Sequence, residues 1–117
     1  MTQYLISFDD GAMTFPDEDL PDVARAAHEV VDQAMEAGVW VFGAGVKGHE
    51  VSIVATDGSV TDGPTPESKK HLGGFAVVDV RSHEEALKWA AKIAVACRCA
   101  QEVRELLPAS LEELLQG

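Results

Sequence analysis

Cationic side chains are scarce in this sequence: nine Lys and Arg stand against twenty Asp and Glu in 117 residues, a net charge of −11. Neutralising a phosphate backbone or an anionic bilayer takes clustered Lys and Arg, so no nucleic acid and no membrane are expected as partners. Long apolar runs are missing as well, and none approaches the ~20 residues that a membrane span requires. The opening segment Met1–Ile6 has no basic stretch followed by a long apolar one, so a cytoplasmic location is expected. Cysteine is limited to Cys97 and Cys99. That is too few for a disulfide framework or a four-thiolate zinc site. In a strand, residues two apart share a face, and thiols there act as small buried hydrophobes. Histidine occurs at positions 28, 49, 71 and 83, none at ligand spacing, so neither a metal nor any other cofactor is expected.

What is present is the patterning of one folded unit. Hydrophobic residues make up 46% and charged residues 25% of the chain, ordinary values for a globular protein. The length suits one domain over residues 1–117, with 109–117 as a short C-terminal extension. Gln3 to Phe8 reads as a strand with Tyr4, Ile6 and Phe8 on one face. A helix follows, with Asp19 as N-cap, Pro21 in its first turn and a buried stripe of Val23, Ala27, Val30, Val31 and Ala34. Gly38 closes it. Val39 to Val46 is a second strand. His49 to Thr56 and Ser59 to Thr61 form a hairpin whose Asp57-Gly58 pair predicts a type I′ turn. The turn-rich stretch Val60–Phe75 follows, in which Thr65-Pro66-Glu67 starts a short helical turn. Gly74 to Val80 is a strand. Ser82-His83-Glu84-Glu85 is a capping box opening a helix with Ala86, Trp89, Ala90 and Ile93 on its inner face. A last strand lies between Ala100 and Leu107, and Ser110 opens a short terminal helix. The order β-α-β-β-α-β predicts an α+β, ferredoxin-like antiparallel sheet with both helices on one face.

Two helices cover one side of such a sheet, and the other side should alternate apolar with polar residues if it meets water. Two strands do not. In the second, Val39 and Val41 oppose Trp40, Phe42, Ala44 and Val46. In the strand Gly74 to Val80, Phe75 and Val77 oppose Ala76, Val78 and Val80. An apolar outer face of this kind predicts a homodimer closed by two-fold symmetry. The simpler alternative is a monomer whose loops and terminal helix fold over the face.

The chemistry-bearing residues are few. His28 sits on the first helix at the border between the apolar stripe and the acidic side, beside Ala24, Val31 and Met35. A half-desolvated imidazole suits general acid–base work, although a core-edge histidine bonded to a carbonyl has the same pattern. Asp62 precedes Gly63-Pro64. It reads locally as an Asx-turn residue, or as a carboxylate that orients an imidazole. Glu67, Lys69 and Lys70 would rim a pocket or simply solvate a loop. Gly73-Gly74 lacks the strand-to-helix context of a phosphate loop and reads as a close backbone approach.

The segment Thr61-Asp62-Gly63-Pro64, with Glu67-Ser68-Lys69, Leu72-Gly73-Gly74-Phe75, Asp79-Val80 and Glu85-Ala86-Leu87 beyond it, resembles the YCII-related family. More narrowly, it is similar to the subgroup with an Asp-Gly-Pro-Phe motif. The likeness runs from Gln3 to about Pro108 and takes in His28, Asp57-Gly58 and Glu102-Val103-Arg104. The resemblance implies a dimeric ferredoxin-like α/β-barrel with an active site made of His28 and Asp62. Gly63, Pro64 and Lys69 are then the ligand-contact candidates, Lys69 facing an anionic group. It also implies a small-molecule ligand and an acid/base enzyme of catabolic type. A non-catalytic sensing or regulatory module linked to sigma factors is the alternative. Thr65 stands where the motif has phenylalanine, and Pro66 follows it. That change alters the pocket wall the motif would supply.

Overall fold

The computed structural model describes residues 1–47, 51–63 and 72–108. Strand β1 (Thr2–Asp9) leads through a loop and one 3-10 turn (Asp17–Asp19) into helix α1 (Leu20–Glu36). Strands β2 (Trp40–Gly45), β3 (Val51–Val54), β4 (Val60–Gly63) and β5 (Leu72–Val80) follow, then helix α2 (His83–Cys97) and strand β6 (Glu102–Glu105). The four long-range strands form an antiparallel sheet in the order β2-β5-β1-β6. That order and the two helices make it the ferredoxin-like α+β arrangement. The sequence expectations for a helical turn after Thr65 and for a terminal helix after Ser110 lie outside the described residues.

Both helices pack on the face of the sheet that carries Tyr4, Ile6, Ala76, Val78 and Val80, with Ala34, Val39, Ala86 and Ala90 completing the core. Ile6 is 1% exposed and Val80 fully covered, so each contributes roughly 1.5–3 kcal/mol of transfer free energy. Helix α1 turns Val23, Val30 and Ala34 inward at helical spacing. Its first turn is held differently from the sequence expectation. Asp19 is already in the helical region (φ −87°, ψ −8°) and its carboxylate caps nothing. It instead accepts from Arg98 Nη1 at 2.8 Å. Helix α2 does begin with a side-chain cap, Ser82 Oγ accepting from Glu85 N at 3.2 Å. The Glu85 carboxylate reaches one residue further back, to the N–H of Arg81 at 3.1 Å.

Three details depart from the sequence pattern. A bulge between Trp40 and Phe42 shifts the phase of β2. Trp40 therefore lies on the helix face opposite Val78, whereas Phe42 and Ala44 lie on the open face opposite Val77 and Phe75. Unbroken alternation had put Trp40 and Phe42 together. The extra residue of a bulge is what separates them. The hairpin turn also differs, because Gly58 (φ 87°) has a positive φ and Asp57 does not. Gly58 N donates to Ala55 O and Ala55 N to Ser59 O. The loop is thus a type I turn closed by a left-handed glycine rather than the type I′ turn. Finally, Cys97 ends α2 and Arg98 takes the left-handed cap (φ 58°), so Cys97 and Cys99 flank a helix terminus and do not share a strand.

The open face of the sheet carries Leu5, Phe42, Ala44, Phe75 and Val77 in register. Phe42 and Phe75 rings sit 5.8 Å apart, and Phe42 is 57% exposed. The β3–β4 hairpin forms its own two-stranded sheet and touches no other element of the chain among the described residues.

Candidate active site

A cavity of about 460 Å³ opens between α1, the helix side of the sheet and the end of α2. Its floor is Ile6, Phe8, Gly43, Gly45 and Ala76; its walls include Val31, Met35, Trp40, Ile93 and Cys97. Glycines shape that floor. A Cβ on Gly43 would meet the Trp40 ring at 2.6 Å and Phe75 O at 2.9 Å, so only glycine lets the indole lie flat over β2. On Gly74 a Cβ would strike the Phe8 ring at 2.6 Å, and on Gly73 the Asp9–Asp10 backbone at 2.9 Å. The close backbone approach expected at Gly73-Gly74 is present.

His28 lines the cavity from α1 and is exposed at its rim. The helical spacing that placed it beside Val31 and Met35 also brings all three to the cavity. Few polar groups accompany it. Gln101 lies at the far end, with its amide turned toward Cys99 O (3.3 Å) and Cys99 Sγ (3.5 Å). Burial pushes the Cys97 thiol upward from its ordinary range and the nearby Cys99 adds to the effect. Burial raises Cys99 as well. Thiols held protonated in this way are poor nucleophiles and poor metal ligands at neutral pH. Among the described residues no cluster of three or more His, Cys, Asp or Glu could hold a metal ion.

Met13, in the loop after β1, borders the same cavity. That loop is tied down at its far end, where the Arg98 guanidinium pairs with Asp19 and lies 6.0 Å from the Phe15 ring centroid. Nothing in the sequence pattern around Met13 or Gln101 marked them as cavity residues. Both are brought there by the turns that follow β1 and α2.

Asp62 is an exposed residue of β4, paired with Ser52 across the hairpin. It does not line the cavity, and its hairpin touches neither α1 nor the main sheet of its own chain. Gly63 ends the same strand against Val51. Pro64 and Lys69, together with Thr65, Glu67 and Lys70, lie outside the described residues.

A family model for the YCII-related domain matches residues 6–110. The chain belongs to the YCII-related family. No curated protein matches it by sequence. Among solved structures, it is similar to the 5-chloro-2-hydroxyhydroquinone dehydrochlorinase of Burkholderia phenoliruptrix AC1100 in complex with 2,5-dihydroxybenzoquinone. The TM-score is 0.52 at 14% identity, over 92% of this chain and 94% of that one. An identity this low speaks to fold alone, and the fold shared is the ferredoxin-like α+β one. No helix among the described residues is long and apolar enough to cross a membrane.

Proposed function

We propose that this YCII-related protein is a cytoplasmic homodimeric enzyme acting on a small, mainly apolar organic molecule, with His28 as its general acid/base. The observation that carries this reading is one imidazole at the rim of a 460 Å³ cavity whose walls are otherwise almost wholly apolar. A cavity of this size takes a single substituted ring, and apolar walls exclude the water that would compete for a transferred proton. Imidazole is the side chain whose ordinary protonation range spans neutrality, so it can take a proton and return it in one cycle.

Asp62 is the orienting carboxylate in this reading, accepting from the imidazole N–H that faces away from the substrate and stabilising the imidazolium. Gly63, Pro64 and Lys69 border the ligand, Lys69 facing its anionic substituent. The reaction is an elimination, isomerisation or hydrolysis. In the elimination, ketonisation of one hydroxyl moves its proton to the ring carbon that bears the leaving group, and His28 then takes a second hydroxyl proton while the leaving group departs with its bonding pair, leaving a quinone. The dehydrochlorinase of similar fold makes halogenated polyhydroxybenzenes the first substrate panel. Homodimerisation is supported by the apolar open face, on which Phe42 is exposed and Phe75 and Val77 are half-buried.

The test is turnover of such a panel by the wild-type chain and by His28→Ala and Asp62→Asn. Loss of turnover by about 10²–10⁴-fold in His28→Ala is the expected result for a general acid/base. Unchanged turnover in His28→Ala would remove the assignment. Binding without turnover by the wild-type chain would favour a ligand-sensing module.

A further inference from the structure

The acid that the proposed function needs is on an element that its own protomer does not use. Among the described residues, strands β3 and β4 contact no element but each other, and none of their residues is buried. A two-stranded hairpin with no core is marginal in water on its own. The cross-strand register places Ser52 opposite Asp62 and Val54 opposite Val60. These four residues therefore share one face. Val54 and Val60 are 65% and 64% exposed, so whatever covers the two valines also meets the Asp62 carboxylate.

The cavity presents the complementary pattern. Its rim carries an imidazole, His28, with Met35 beside it 58% exposed, and its described lining contains no carboxylate. Along the neighbouring edge strand, Val41 and Phe42 are also exposed. One surface offers apolar side chains round an acid, the other apolar side chains round a base. Both belong to the same chain, and within one chain they do not meet. A second copy satisfies both at once. Exchange of arms across a two-fold axis covers each hairpin and each rim, and the assembly closes.

We infer that the β3–β4 hairpin is an exchanged arm, which in the homodimer lies against the cavity rim of the second copy and brings Asp62 to that copy's His28. Each catalytic centre is then built from two chains. The inference rests on the His28–Asp62 pairing of the proposed function and adds its provenance.

The test uses the full chain with Cys97→Ala and Cys99→Ala as background, since Cys97 lines the same cavity. A His28→Cys chain and an affinity-tagged Asp62→Cys chain are mixed, treated with a short bis-maleimide and resolved by mass. A covalent tagged–untagged pair, twice the 12.5 kDa of one chain, is expected as the main product. A His28→Cys/Asp62→Cys double variant that cross-links only within a single chain overturns the inference and leaves the pairing intact. Absence of cross-linking in both experiments overturns the pairing too. Should the cysteine-free background fail to fold, hydrogen exchange on the unaltered protein decides. Hairpin amides protected well beyond free-peptide rates support an arm held by a partner, and free-peptide rates overturn it.

Discussion

The four-stranded sheet and the β3–β4 hairpin contain similar residues and have opposite fates. In the sheet, Ile6, Val78 and Val80 disappear from solvent beneath two helices. In the hairpin, Val51, Val54 and Val60 are all exposed, although the ladder and turn are regular. Valine in a well-paired strand is therefore no guide to where folding energy comes from. The sheet is stabilised by what its own chain lays over it. The hairpin has only its cross-strand pairs and its turn, which contribute roughly 0.2–1 kcal/mol per pair.

Substitutions in the two regions should therefore differ in cost. Ile6→Ala removes a fully buried side chain and should cost about 2–5 kcal/mol by urea denaturation. An equal cost from Val60→Ser in dilute protein would erase the distinction between the two regions. Gly73→Ala comes next, at about 1–3 kcal/mol, because the new Cβ meets backbone at 2.9 Å. Gly74→Ala should cost less, since it meets only the tip of the Phe8 ring. Ser82→Ala removes the α2 cap and should lower stability by about 1 kcal/mol in the same assay.

Val60→Ser is expected to change denaturation of dilute protein by no more than about 0.5 kcal/mol. It should nevertheless weaken dimerisation measured by sedimentation. The smallest effect lies in the hairpin turn. The Ser59 side chain, and with it the Ser59 N–H at 2.9 Å from Asp57 Oδ1, donates to the Asp57 carboxylate and holds it below its ordinary range. A depressed value means the turn gains support at pH above the usual aspartate range and loses it as pH falls through the depressed value. The Ser59 amide shift should follow that titration by NMR, and Asp57→Asn should flatten it.

The sheet order and helix faces were legible because each segment carried its own period: two for Tyr4-Ile6-Phe8, three and four for Val23-Val30-Ala34. Capping at Ser82 was legible for the same local reason. What escaped was non-local or cost one residue of phase. The bulge at Val41 leaves no trace in composition, yet it turns Phe42 away from Trp40. Asp19 has the right chemistry for a cap, but Arg98, far along the chain, offers its carboxylate a charged donor instead. His28 was legible as a boundary residue, and the cavity beside it follows from the same helix edge. Where Asp62 sits could not follow from spacing, because among the described residues the hairpin that carries it touches no other element of its chain.

The irregularity at Val41 has a second outcome. Had β2 run without a break, Phe42 would have stood opposite Ala76, under the helices, and Gly43 would have looked outward. A benzyl group would then fill the cavity, and the outer surface would lose its most exposed ring. One extra residue both empties the interior and sets an aromatic ring on the outside, so the space and the apolar patch on which the proposed function rests share a single origin.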